Sequence, residues 1–187
     1  MKVKILLLAD HKSPHTKKWV RSFAEQGETV EVFSLRKSTD ETDGYYDQLN
    51  VKVGGANDSE MASRSDLNKL NYLKNVRKLR KQIENFQPDI INAHYATSYG
   101  LLGVLSKGSF PYVISVWGSD IMDFPGRSFL HKYLLRFVLK RANAISCTSQ
   151  ELRKHALEFR KDMFMLFRLE LIQRNLNLRK LKSHLEV

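Results

Sequence analysis

The apolar residues of this chain alternate between two rhythms, short unbroken runs and longer stretches in which they recur at threes and fours. Val3 to Ala9 is an unbroken run after its first residues, the pattern of a strand covered on both faces. Ser13-Pro14 then opens a helix, with Ser as N-cap and Pro at the first helical position. Trp19, Val20, Phe23 and Ala24 form its apolar stripe up to Gly27. Val30, Val32 and Leu35 predict a second strand. Residues 36–63 are rich in Gly, Asn, Asp, Ser and Thr and read as loop, with one edge strand at Val51-Lys-Val53. Helical spacing returns at Leu67 and continues through Leu70, Leu73, Val76, Leu79, Ile83 and Phe86 until Pro88 ends it, with Lys and Arg crowding the other faces. Strands at 89–94, 112–117 and 144–148 then alternate with helices at 99–106 and 128–142, and Ser149 caps a last helix through Phe159. Buried-type strands alternating with helices predict an α/β fold with a doubly wound parallel sheet, Rossmann-like in class.

Composition narrows the chemistry more than the fold. With 187 residues, 42% of them hydrophobic, the chain can bury one ordinary core. Lys and Arg number 31 against 20 Asp and Glu, and a net charge of +11 favours an anionic partner: phosphate, nucleic acid or an acidic membrane surface. The basic residues lie on separate helices without a reader motif or aromatic platform, so no nucleic acid is expected. Cys147 is the single cysteine, which excludes an intramolecular disulfide and any Cys-based zinc cluster; it reads as a small buried hydrophobe. The six histidines have no ligand spacing, and no metal is expected. The N-terminal apolar run imitates a signal peptide but is short, meets Asp10-His-Lys12 and has no small-residue cleavage site. No apolar stretch approaches the roughly 20 residues of a membrane-spanning helix, so a cytoplasmic protein with at most peripheral membrane contact is expected.

In a doubly wound sheet, ligands bind beyond the carboxyl ends of the strands. Four such positions carry useful groups. Asp10-His-Lys-Ser-Pro-His-Thr16 leads into a helix N-terminus, whose amides and positive dipole end suit a phosphate, with Lys12, His15, Lys17 and Lys18 adding charge; the alternative is a capped helix with a solvated basic first turn. Neither the glycine fingerprint of dinucleotide sites nor a phosphate loop ending in Gly-Lys-Ser/Thr is present. His94-Tyr95-Ala-Thr-Ser-Tyr99 brings an imidazole and hydroxyls to a strand end, where a lone His is more often a hydrogen-bonded structural residue than an acid or base. Trp117-Gly-Ser-Asp120 offers Gly118 and Ser119 for close approach and Asp120 either to accept from a sugar hydroxyl or to cap the next turn, with Trp117 expected in the core. Thr148-Ser149 reads as a cap.

Five segments in order, from Ser-Pro-His-Thr-Lys-Lys-Trp19 and Gly27-Glu-Thr-Val-Glu-Val32 through Pro88-Asp-Ile-Ile-Asn-Ala-His-Tyr95 and Val116-Trp-Gly-Ser-Asp120 to Ala144-Ile-Ser-Cys-Thr-Ser149, resemble the N-terminal domain of glycosyltransferase family four over residues 1–162. The resemblance implies a GT-B architecture, two Rossmann-like domains facing across a cleft. The first mainly holds the acceptor, and the second grips the nucleotide sugar with paired glutamates. It implies a retaining, metal-free hexosyl transfer from a nucleoside-diphosphate sugar, with no cofactor, to a sugar or lipid-linked glycan of the kind used in cell-envelope polysaccharides. Residues 13–16 would face the donor phosphates, His94 and Tyr95 the acceptor, and Trp117 to Asp120 the transfer centre, so that His94 and Asp120 are the catalytic candidates. This chain has Lys-Ser-Pro-His where many members carry a glycine pair, and Trp117 where many carry a supporting His.

Beyond Asp162 the family pattern calls for a strand and an Ile-Pro-x-Gly-Val-Asp linker, which the chain lacks. Permitted codons for Met163 to Leu178, read two bases later, spell Val-Tyr-Ala-Ile-Pro-Phe-Gly-Val-Asp-Thr-Glu-Lys-Phe-Lys-Pro. The expectation is therefore one extra base near the Asp162 codon, an out-of-frame tail over 163–187, an absent donor-binding domain and an inactive lone chain. The alternative for the tail is a helix carried by Leu169, Ile172 and Leu176. Two other readings of the whole remain open: a phosphate- or phosphosugar-binding module, and a membrane-surface module using the basic helices at Arg77 to Lys81 or His131 to Arg141.

Overall fold

The unbroken apolar runs become strands sandwiched between helices. The computed structural model describes residues 2–37, 40–55, 69–161 and 164–166. Among these, β1 (Lys4–Leu8), β2 (Thr29–Ser34), β3 (Lys52–Gly55), β4 (Ile90–His94), β5 (Tyr112–Val116), β6 (Ala144–Cys147) and β7 (Phe164–Leu166) form one sheet in the order β3-β2-β1-β4-β5-β6-β7. Every pairing is parallel. The helices are α1 (Pro14–Glu25), α2 (Asp40–Gln48), α3 (Lys69–Phe86), α4 (Ser98–Ser106), α5 (Phe129–Lys140) and α6 (Gln150–Phe159).

The chain builds outward from β1 to β3, then returns through α3 to the other side of β1 and builds outward again. Right-handed crossovers in opposite directions put α1 and α2 on one face and α3 to α6 on the other. Trp19, Val20, Phe23 and Tyr46 cover the first face against Ile5, Leu7 and Val32. Val76, Leu79, Leu102, Leu135, Val138 and Leu139 belong to the core on the second face, with Leu6, Ile91, Ile114 and Ile145 of the sheet. The reversal leaves a crevice where β1 and β4 diverge from their connections, at the carboxyl edge.

The doubly wound α/β expectation agrees with this architecture, and the differences are local. Residues 40–48 form α2 instead of loop. Its sequence is polar and contains Gly44, so it lacks an apolar stripe; Tyr46 anchors it, fully buried with its hydroxyl donating to the His11 carbonyl at 2.6 Å, and the half-buried Tyr45 donates to the Lys17 carbonyl at 3.0 Å. Strand β2 ends at Ser34, with Leu35 buried just beyond it. The edge strand predicted at 51–53 is β3, one residue later at its start and two at its end. The predicted helix start at Leu67 lies outside the described residues, as do 38–39 and 56–68. In the segment read as an out-of-frame tail, Phe164–Leu166 pairs with β6 as β7, where the family pattern asks for a strand; residues 162, 163 and 167–187 lie outside the described residues.

Candidate functional site

The ends of β1, β4, β5 and β6 open onto the carboxyl edge, and one carboxylate organises two of them. Asp120 is 2% exposed. Its Oδ2 accepts from the Ala96 amide at 2.8 Å, and its Oδ1 accepts from the Trp117 and Gly118 amides at 3.0 Å each. The side chain thus staples the loop after β4 to the turn after β5. Gly118 has φ 130°, a conformation open to glycine, and a methyl group there would find space, with Leu152 4.0 Å away. Burial pushes the Asp120 carboxyl above its ordinary value, while hydrogen bonds from backbone amides, its own included, pull it back. Of its two expected roles, holding the turn is the one this geometry displays.

The staple draws aromatic rings together. Trp117 is half-buried, not a core residue as expected, and its ring lies 4.8 Å from His15, 5.2 Å from His94 and 6.3 Å from Tyr95, the last nearly parallel at 28°. Trp19, one helical turn after His15, closes on His94 from the other side at 5.2 Å, edge to face. His94 is 3% exposed, and its Nε2 has no hydrogen-bond partner among the described residues; the buried Trp117 Nε1 has none either. Burial, with a smaller contribution from His15, lowers the His94 pKa to about 3, so the ring stays neutral in the physiological range. Tyr95 has φ 71° and is exposed, and its phenol pKa is raised by burial and by Asp120 and Asp10.

The first loop is held from beneath. His11 is fully buried, its Nδ1 2.8 Å from Ser34 Oγ. The Leu35 amide donates to the Tyr99 hydroxyl at 3.2 Å. Asp10 accepts from the Lys12 amide at 3.0 Å and pairs with Arg36 at 3.3 Å. Ser13 occupies the N-cap of α1, but its side chain makes no capping bond, which departs from the expected cap. Lys12 and His15 are exposed, Ser13 is half-buried and Thr16 is buried at 1%. The structure therefore brings His15, His94, Tyr95, Trp117 and Gly118 to one place, with Asp120 behind them; Ser119 is exposed in the same turn, and Thr16 points into the protein. Ser149 caps α6, accepting from the Leu152 amide at 3.2 Å, and Cys147 is fully buried, its thiol pushed up to about 11 by burial.

Sequence reasoning missed Trp19 and Arg36 as parts of this edge, and the pairing of Asp10 with Arg36. Trp19 was legible, since it follows His15 by four positions in a helix. The Asp10 to Arg36 pair was not, because nothing local relates the ends of β1 and β2.

A family described as Glycosyl transferase 4-like matches residues 4–149. No curated protein matches the chain. Among solved structures, the sucrose-phosphate synthase of Thermosynechococcus elongatus is similar at a TM-score of 0.65 and 12% identity, over 88% of this chain and 47% of that one. Anabaena Alr3699/HepE in complex with UDP and glucose gives 0.57 and 15%, over 88% and 44%. The UDP-N-acetylglucosamine 2-epimerase of Rickettsia bellii gives 0.61 and 10%, over 97% and 51%. The chain thus spans about half the length of these structures, and the likeness is one of fold.

Proposed function

Because the chain belongs to the glycosyl transferase 4-like family, we propose that it is the acceptor-side half of a retaining hexosyltransferase acting from a nucleoside-diphosphate sugar onto a glycan or lipid-linked acceptor of the cell envelope. The observation that carries this reading is the Asp120 staple, which fixes Tyr95 and Trp117 as an aromatic wall beside His94 at the switch-point edge. Aromatic faces suit the C–H faces of a pyranose, and a neutral imidazole suits its hydroxyls. In this reading His94 orients the acceptor, and Asp120 positions the loops that hold it. Lys12, His15 and the uncapped α1 amides supply positive potential toward the donor phosphates. The bond from the anomeric carbon to the diphosphate oxygen breaks as the acceptor oxygen bonds on the same face, and the acceptor proton leaves with the diphosphate. No metal or cofactor takes part. In this reading the donor is held by a second domain, in line with the chain's spanning about half the length of the structures it resembles.

Calorimetric titration of the chain with glycan acceptors and with UDP-glucose tests this reading. Glycan binding that Tyr95→Ala and Trp117→Ala each weaken about tenfold is expected, in line with about 1 kcal/mol or more per aromatic contact. Binding of nucleotide alone, insensitive to both substitutions, would favour the phosphate-module reading, which the uncapped first turn of α1 supports. We also propose a cytoplasmic location at the inner face of a membrane. Among the described residues no helix is long and apolar enough to cross one.

A further inference from the structure

Helix α5 carries three large apolar side chains out into solvent: Phe129 is 85% exposed, Leu130 72% and Tyr133 62%. Its inner face is fully occupied, Leu135, Val138 and Leu139 packing on the sheet. The outer stripe continues from Phe129 and Tyr133 to Arg136 and Lys140, spaced four, three and four apart, so the apolar and cationic residues lie along one side of the helix. Residues 127–141 contain Arg127, Lys132, Arg136, Lys140 and Arg141 and no Asp or Glu. The start of the helix is set firmly, since Ser128 caps it through the His131 amide and lies 2.7 Å from the His131 ring.

At the far end of this stripe, Arg136 and Lys140 line a cavity of about 360 Å³ between α5 and α6, with Glu158, Phe159, Arg160 and Lys161. Arg160 is anchored there by donating to the carbonyls of Leu139 and Ala142. Four cations face one carboxylate, and that carboxylate is itself 3.5 Å from His155. A protein partner would have to cover bulky apolar groups while supplying several acidic residues. An anionic bilayer offers both at once, an acyl boundary for the aromatic residues and phosphates for the cations.

We propose that the outward face of α5 is the surface by which this protein lies on an anionic lipid bilayer, with Phe129, Leu130 and Tyr133 entering the headgroup boundary and the α5–α6 cavity receiving a lipid phosphate. This gives a surface to the membrane placement proposed above but does not rest on the transferase reading, because lipid binding and sugar binding are read separately.

The full chain is sedimented with vesicles of phosphatidylcholine alone and of phosphatidylcholine mixed equally with phosphatidylglycerol. Pelleting with the mixed vesicles only is expected, weakening as salt is raised. The pair Arg136→Ala with Lys140→Ala should bind roughly 30-fold more weakly, as expected for two surface cations. The triple variant Phe129→Ser, Leu130→Ser, Tyr133→Ser should also lose pelleting. All five side chains are exposed, so circular dichroism and the melting temperature should stay unchanged, which separates lost binding from lost folding. Equal pelleting with neutral vesicles, pelleting unaffected by either variant, or no pelleting alongside binding of inorganic phosphate at the cavity would each overturn the proposal. So would a dimer that the triple variant dissolves, since the patch would then belong to a second copy of the chain.

Discussion

Asp120 does the work of a covalent crosslink with three hydrogen bonds. Its two oxygens satisfy amides on both sides of the gap between β4 and β5, and a buried carboxylate accepting three backbone bonds is tolerated where an isolated one is not. Asparagine is nearly the same size but has one acceptor oxygen, so its NH2 group must face an amide that also donates. Asp120→Asn should therefore destabilise the protein by about 2–3 kcal/mol, measured by urea unfolding, with the loss shown first as faster amide exchange at Ala96 and Gly118. From sequence, Asp120 was recognisable as important and its two roles were not separable, because the partner amide at Ala96 is 24 residues away. Gly118 was legible as a residue chosen for its backbone, whereas the positive φ of Tyr95 was not, since a tyrosine carries no local sign of it.

At the scale of elements, the first face of the sheet includes a weak helix held by two adjacent tyrosines, of which Tyr46 is the buried one. Tyr46 buries its ring under the first loop, and its hydroxyl ties the His11 carbonyl to α2. Tyr46→Phe should cost about 1 kcal/mol by removing that bond, and Tyr46→Ala about 3–5 kcal/mol by leaving a cavity as well. Hydrogen exchange over residues 44–50 separates the cases: Ala should open the segment while Phe leaves it largely protected. Elements with a continuous run or a full stripe, such as β1, α3 and α5, were legible in sequence because each advertises its buried face by period. Helix α2 was not, since two adjacent tyrosines in a polar sequence make no helical period. The outer face of α5 was visible as basic. Its exposed apolar residues were not, because in sequence Phe129, Leu130 and Tyr133 look like core.

For the whole molecule, the packing of His94 makes stability depend on pH. Its pKa falls from an ordinary 6.5 to about 3, so between those values the unfolded chain holds a proton that the folded chain refuses. Stability from burying the neutral ring is complete above about pH 6.5 and is lost as pH falls toward about 3. The effect should reach roughly 3 kcal/mol between about pH 7 and pH 4. Asp120, shifted upward, acts in the opposite sense within the carboxylate range. The melting temperature of His94→Gln should accordingly fall less steeply over this range than that of the unaltered protein; parallel curves would show that His94 is not the group responsible.

What the sequence determined by itself is the order of strands and helices apart from α2 and β7, the parallel doubly wound class, the sheet edge where the candidate residues cluster, and the family. All of these are written in periods, caps and short motifs that neighbouring residues carry. The tertiary structure alone decided that Asp120 serves as a staple, that Trp117 and Trp19 enclose His94 and hold it neutral, and that the apolar start of α5 faces outward. These outcomes depend on which residues meet across the crossovers, and on how far each is removed from water, and neither distance nor desolvation is encoded along the chain.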